Sequence, residues 1–243
     1  MSGDQSSEMS FLDHLEELRW RLIKSAIAVA AFAIPCGVYW QKILDFVMIY
    51  PLRHTSPQPK LIYTNPSESV ILSVKIAIAG GLIAASPVIF FQLWRFISPG
   101  LYRNEKKVIL PAVVASTLFF IGGISFSYYS FPFLLKFLTG YAGNRLDPMF
   151  KVGEYFGFLL KISISFGLVF ELPVISFVLS RMGVLTARFM LKQFRYALVI
   201  IFIVAAILTP PDVISQLMLA GPLLVLYGIS IIVAAVAARS KAE

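Results

Sequence analysis

Six long apolar stretches constrain the fold of this sequence more than any other feature. They cover residues 25–43, 69–94, 108–137, 155–180, 196–208 and 213–238. An α-helix rises about 1.5 Å per residue, so about 20 residues cross the roughly 30 Å of hydrocarbon in a bilayer. The fifth stretch covers only about 20 Å on this arithmetic, and the others reach or approach the required length. The sequence therefore predicts an all-α membrane protein with six transmembrane helices.

The composition excludes an ordinary soluble domain. Hydrophobic residues make up 58% of the chain and charged residues 14%, against roughly 45–50% and about 25% in soluble proteins. The net charge of +8 would suit a nucleic-acid partner in a soluble protein. Here the Lys and Arg residues lie between apolar stretches, so anionic lipid and membrane orientation explain them, and we predict no nucleic-acid binding.

The basic residues also predict the orientation of the chain. Most of them precede the first stretch, follow the sixth, or lie in the loops after the second and fourth stretches. The positive-inside rule then places both termini in the cytoplasm. The loops on the opposite side, residues 50–67 and 139–154, are long enough to cap the helices. We predict one integral membrane domain over residues 1–243, in which residues 1–24 form a cytoplasmic amphipathic segment.

Prolines inside the apolar stretches predict a kinked bundle. A proline removes one backbone donor and clashes with the carbonyl four residues earlier, so a helix bends or breaks there. Neighbouring helices must then satisfy the freed carbonyl groups. These prolines are Pro35, Pro87, Pro111, Pro132, Pro173 and Pro222.

Three ionisable residues lie well inside the apolar stretches. Lys75 and Lys161 are close enough to the outer end for their long side chains to reach the membrane interface. Glu171 is different, because its short side chain cannot reach the interface. A cavity, a polar partner or protonation must therefore accommodate it.

No motif indicates an enzyme or a cofactor site. The two histidines, His14 and His54, and the single cysteine, Cys36, are too scattered to form a metal site or a nucleophile–base pair. No glycine-rich phosphate-binding loop is present in the sequence. We predict no catalytic residue, no metal and no cofactor.

Four motifs in order along the chain resemble those of the TatC family, the core subunits of the twin-arginine protein translocase. They are HLEELR at residues 14–19, FISPGLYRNE at 96–105, FGLVFELP at 166–173 and LTPPDVISQ at 208–216. The resemblance extends from about Phe11 to Ala238, nearly the whole chain. It implies a curved wall of six helices with a concave face.

The resemblance also implies a function. Such a protein would be a receptor for paired-arginine signal peptides on folded cargo, with transport driven by the protonmotive force. Single-span subunits of the TatA and TatB type, membrane lipid and further copies of the chain would be its partners. The implied location is the bacterial plasma (inner) membrane, in preference to a thylakoid membrane.

The matching motifs assign roles to individual residues. Glu17 and Glu105 would contact the paired arginines, Glu16 is an alternative to its neighbour, and Phe96 lies in the same cytoplasmic loop. The remaining implied positions are the intramembrane groove residue Glu171, the partner-helix contacts Thr209 and Gln216, and the functionally sensitive Pro51 and Asp212.

A proton-coupled secondary transporter for small molecules is the alternative function. An intramembrane glutamate and broken helices would also fit that class. Against it, the sequence contains no two-half repeat and only one deep acidic residue. Uptake of a small solute by vesicles would favour the transporter, whereas binding of a paired-arginine peptide would favour the receptor.

Overall fold

Helices form nearly all of the chain that the computed structural model describes, namely residues 11–53, 59–97, 109–140, 148–209 and 212–239. A π-helical turn, Asp45–Ile49, follows the second helix. The α-helices are, in chain order, α1 (Phe11–Val38), α2 (Trp40–Leu44), α3 (Tyr50–Arg53), α4 (Glu68–Ala84), α5 (Ser86–Ile97), α6 (Ile109–Gly140), α7 (Val152–Val169), α8 (Leu172–Arg181), α9 (Ala187–Lys192), α10 (Phe194–Leu208) and α11 (Val213–Arg239).

The long helices overlap the predicted apolar stretches, which confirms the fold class, although α1 begins at Phe11, well before the first stretch. Four segments are long and apolar enough to cross a membrane, and α4 with α5 qualifies as a fifth, bent span. Helix α10 contains only 15 residues, or about 22 Å of helix. Its full crossing of the membrane, and hence the count of six spans, stays a prediction. The four single segments are His14–Val38, Ile109–Gly140, Val152–Arg181 and Val213–Ala238.

Two of the prolines coincide with interruptions of the helices. Pro87 lies in the first turn of α5, and α4 and α5 meet there at a bend of 53°. Pro173 likewise lies at the start of α8, directly after Glu171 and Leu172, where α7 has ended. Helices α4 and α7 end before these prolines because a proline ring clashes with the carbonyl group one turn earlier. The predicted break therefore interrupts the regular helix at Glu171, the only deep acidic residue predicted from the sequence.

Two short strands were not predicted. Strand β1 (Lys60–Ile62) pairs in parallel with β2 (Met149–Lys151), with Leu61 opposite Phe150. The strands belong to the two long loops predicted to cap the helices on the outer side. Each strand leads toward the start of a long helix, α4 and α7 respectively. The capping loops are thus joined to each other by main-chain hydrogen bonds.

Close helix packing at glycines builds the core. A methyl group on Gly123 of α6 would lie 2.6 Å from the Phe166 carbonyl oxygen of α7, so only glycine fits there. Gly81 of α4 meets α1 in the same way, because its methyl group would lie 2.7 Å from the Val29 carbonyl oxygen. Small residues let apolar helices approach closely, and dispersion contacts then hold them together within lipid.

Candidate functional site

The predicted arginine-binding residue Glu17 already holds an arginine of its own chain. Arg21 Nε donates a hydrogen bond of 2.9 Å to Glu17 Oε1, and Arg21 Nη2 donates to the same oxygen. The two residues lie one helical turn apart on α1, at the spacing that brings side chains together on one helix face. Arg21 Nη1 also donates to Gln92 Oε1 on α5, at 3.3 Å. Glu17 is therefore part of a polar contact between α1 and α5.

The neighbouring Glu16 has different surroundings. Its carboxylate lies 3.5 Å from Arg19, and both side chains are 64% exposed. In the Glu17–Arg21 pair the exposed fractions are only 25% and 14%. Adjacent residues on a helix point about 100° apart, so one carboxylate faces solvent while the other faces α5. The geometry favours Glu17 over Glu16 as the residue of a defined site.

Phe96 lies beside the start of α1. Its ring stacks on the His14 ring, with 4.3 Å between centroids and an interplanar angle of 17°. The end of α5 is thereby held close to the segment that carries Glu17. Glu105 lies outside the described residues, so its distance from Glu17 stays a prediction.

Glu171 is buried at the junction of α7 and α8, where its side chain is 5% exposed. The Ser116 side chain of α6 lies near its carboxyl group. Ser116 Oγ in turn accepts a hydrogen bond of 2.9 Å from Trp94 Nε1 of α5. Glu171 Oε1 has no hydrogen-bond partner among the described residues. Sequence reasoning missed Trp94 and Ser116, whose only signal was an indole and a hydroxyl within apolar stretches.

The turn between α10 and α11 carries three more of the predicted residues. Thr209 Oγ1 donates to the Ala205 carbonyl at 2.8 Å, and Gln216 Nε2 donates across the turn to the Phe202 carbonyl at 3.0 Å. Asp212 Oδ1 accepts from the Ser215 amide at 2.7 Å, which caps the start of α11. These bonds fix the shape of the helical hairpin. They lie far along the chain from Pro51, which is fully buried in α3.

Lys161 contributes to the same hairpin. Its ammonium group donates a hydrogen bond to the Ile207 carbonyl in the last turn of α10. The last carbonyl groups of a helix have no partner within the helix, and a cation there also suits the helix dipole. The sequence predicted only that this side chain reaches the membrane interface. Its hydrogen bond to α10 could not be predicted, because it depends on where the last carbonyl groups of α10 lie relative to α7.

The described residues contain no group of three metal-ligating side chains that could hold an ion. What the fold and these contacts define is a polytopic helical membrane protein. It carries a carboxylate–arginine contact at one end of its bundle and one buried carboxyl group in its interior.

Comparison with known proteins identifies the family. The family model described as "Sec-independent protein translocase protein (TatC)" matches residues 13–222. The chain therefore belongs to the TatC family. This result favours a protein translocase over the small-molecule transporter.

The similarity covers nearly the full length of the relatives. The TatC protein of Helicobacter pylori is 41% identical over 222 residues, which is 91% of this chain and 87% of the relative. The TatC protein of Aquifex aeolicus is 40% identical, and the match covers 97% of this chain and 98% of the relative. A solved structure described as "Twin Arginine Translocase Receptor- TatC" superposes with a TM-score of 0.82 at 38% identity, covering 92% of this chain and 99% of the other.

Proposed function

We propose that this chain is the receptor subunit of a twin-arginine translocase, binding the paired arginines of signal peptides at the cytoplasmic end of its bundle. The observation that carries the proposal is the contact between Glu17 and Arg21, in which a half-buried carboxylate binds a guanidinium through two nitrogens. A site that accepts this group from its own chain has the chemistry to accept it from a peptide.

The chemistry of the site favours arginine over lysine. A guanidinium is always charged and offers several N–H donors in a rigid plane, whereas an ammonium is a compact and strongly hydrated charge. Charge-assisted hydrogen bonds of this kind are roughly twice as strong as neutral ones. Glu105 is proposed as the second carboxylate, so that each arginine of the pair has one acidic partner. Phe96, stacked on His14, would supply an apolar surface beside them.

The membrane placement belongs to the same proposal. Both termini lie in the cytoplasm, the helices form one domain in the bacterial plasma membrane, and the receptor complex contains further copies of the chain. The excess of basic residues at one side of the apolar stretches supports this orientation.

The second part of the proposal concerns the membrane interior. Glu171 would line a polar groove, and the hairpin carrying Thr209 and Gln216 would contact the single-span TatA- and TatB-type subunits. Hydrogen-bonding side chains at membrane depth support a role in joining helices. The sensitivity expected at Asp212 follows from its capping of α11, and that at Pro51 from its complete burial. The subunit would act without enzymatic chemistry, driven by the protonmotive force.

The test is peptide binding to the purified full chain in lipid nanodiscs. Fluorescent signal peptides with paired arginines or paired lysines are titrated against wild-type protein, Glu17→Gln, Glu105→Gln and the double variant. Loss of a charge-assisted bond costs about 1.5–3 kcal/mol, so each single variant should bind the paired-arginine peptide at least tenfold more weakly.

Glu16→Gln is the matched control, because it removes the same charge from an exposed position one residue away. It should change binding less than about twofold, as expected for an exposed ion pair. Wild-type affinity in the double variant would refute the assignment. Uptake of a small solute by vesicles containing only this chain would instead support the transporter.

A further inference from the structure

The guanidinium of Arg21 occupies the carboxylate to which the signal peptide is proposed to bind. We propose that Arg21 is an internal competitor, so that an arginine of the signal peptide must displace it from Glu17 before the peptide can bind. This inference rests on the proposed function, because it concerns regulation of the same site.

The contact differs from an ordinary ion pair on a helix surface. Two nitrogens of Arg21 converge on one oxygen of Glu17, and the side chains are 14% and 25% exposed. A second acidic–basic pair on α1, Glu16 with Arg19, has a separation of 3.5 Å, and both side chains are 64% exposed. Partial exclusion of water strengthens the attraction between charges. The competitor is therefore held more firmly than a solvated pair would be.

The structure also provides a place for the displaced arginine. Arg21 Nη1 donates to Gln92 Oε1 on α5, at 3.3 Å. This contact does not involve Glu17, so it can persist when a peptide takes the carboxylate. Gln92 lies one helical turn before Phe96, the residue proposed to lie in the peptide site. The exchange is then a local switch of Arg21 from two acceptors to one, with no loss of its hydrogen bond to α5.

An internal competitor changes binding in a defined way. The apparent dissociation constant equals the intrinsic one divided by the fraction of receptor whose site is open. That fraction does not depend on which peptide is present. Arg21 therefore lowers the binding affinity of paired-arginine and paired-lysine peptides by the same factor. Any cationic segment then needs a higher intrinsic affinity to displace Arg21. The preference for arginine over lysine comes from Glu17 and its neighbours, and Arg21 does not change it.

The experiment compares Arg21→Gln with Arg19→Gln in the full chain in nanodiscs. Each variant removes one positive charge from α1, two residues apart, but only the first opens Glu17. For Arg21→Gln we expect both peptides to bind about three- to tenfold more tightly, between the effects of exposed and buried charge pairs. For Arg19→Gln we expect a change below about twofold in either peptide.

A second variant keeps the charge. Arg21→Lys loses the two-nitrogen contact and should bind both peptides with affinities between those of wild-type protein and Arg21→Gln. Equal size-exclusion profiles and thermal transitions establish that the variants are folded. If either variant binds the peptides more weakly than wild-type protein, Arg21 orients Glu17. If Arg21→Gln binds them with unchanged affinity, the Glu17–Arg21 pair only stabilises α1. Either result overturns the inference.

The outcome separates this inference from the proposed function. If Glu17→Gln weakens peptide binding while Arg21→Gln leaves it unchanged, the receptor site stands and the competitor is rejected. If Glu17→Gln itself has no effect, the site is wrong, and tightening by Arg21→Gln would then require another cause.

Discussion

Replacing Ser116 by alanine is the most direct test of the buried polar contact at Glu171. The Ser116 side chain is 0% exposed, its oxygen accepts the Trp94 indole N–H at 2.9 Å, and it lies near the Glu171 carboxyl group. The substitution therefore removes the hydrogen bond that joins α5 to α6, together with a hydroxyl near the junction of α7 with α8.

The magnitude follows from hydrogen bonds between membrane helices. Each contributes about 0.6 kcal/mol on average and up to about 1.7 kcal/mol. Loss of the bond to Trp94, with the indole N–H left buried and without this partner, should lower the free energy of unfolding by about 1–2 kcal/mol. In a chain of this size that corresponds to a fall in Tm of roughly 2–8 °C.

The assay is thermal unfolding of the purified variants in one detergent. Thr117→Val is the matched control, because the neighbouring Thr117 hydroxyl donates only to the Val113 carbonyl of its own helix, at 2.9 Å. Its Tm should change by less than about 2 °C, since local bonds of this kind contribute little.

Coupling within the network can also be measured. If Ser116 accepts the Trp94 indole N–H, the effects of Ser116→Ala and Trp94→Phe should be smaller together than their sum, because both remove the same bond. Simple additivity, or a Ser116→Ala protein as stable as Thr117→Val, would show that the Trp94–Ser116 bond does not stabilise the bundle.

Two further substitutions test the packing of the bundle. Gly123→Ala should destabilise the protein by about 1–3 kcal/mol, because the new methyl group would lie 2.6 Å from the Phe166 carbonyl oxygen. Gly122→Ala is the control: its methyl group would have no atom within 4 Å, so this variant should be neutral or stabilising in the same thermal assay. Lys161→Met should speed hydrogen–deuterium exchange at residues 205–209, because the Ile207 carbonyl loses its hydrogen-bond donor. Lys75→Met is the control. The described residues show no hydrogen bond from Lys75, so this variant should leave that exchange unchanged.

The sequence predicted the helices because their signal is long and local. Each apolar stretch extends over many residues, and Pro87 and Pro173 mark interruptions by chemistry that needs no tertiary contact. The need of Glu171 for a cavity, a polar partner or protonation was also predictable, because a short carboxylate cannot reach the interface from that depth. Its surroundings were not, because Ser116, which accepts the hydrogen bond from Trp94, is brought near it only by the packing of α6 against the other helices.

The contacts that sequence reasoning missed join residues far apart in the chain. Gln92 meets Arg21 across 71 positions, and Lys161 meets Ile207 across 46. The parallel pairing of β1 with β2 depends equally on where α4 and α7 begin in space. The Glu17–Arg21 spacing was present in the sequence, but the positive-inside rule accounted for Arg21 without assigning it a partner.

The pairing of β1 with β2 constrains how the bundle can deform. Neighbouring strands lie about 4.8 Å apart, and each strand leads toward one long helix, α4 or α7, so the starts of these helices cannot separate without breaking main-chain hydrogen bonds. We expect relative motion of the two helices to pivot there, with its amplitude growing toward their far ends. A tilt of about 5° moves the far end of α7, about 27 Å away, by about 2 Å. The strand pair thus acts as a fixed hinge, and any widening of the bundle between α4 and α7 must occur at the opposite membrane face.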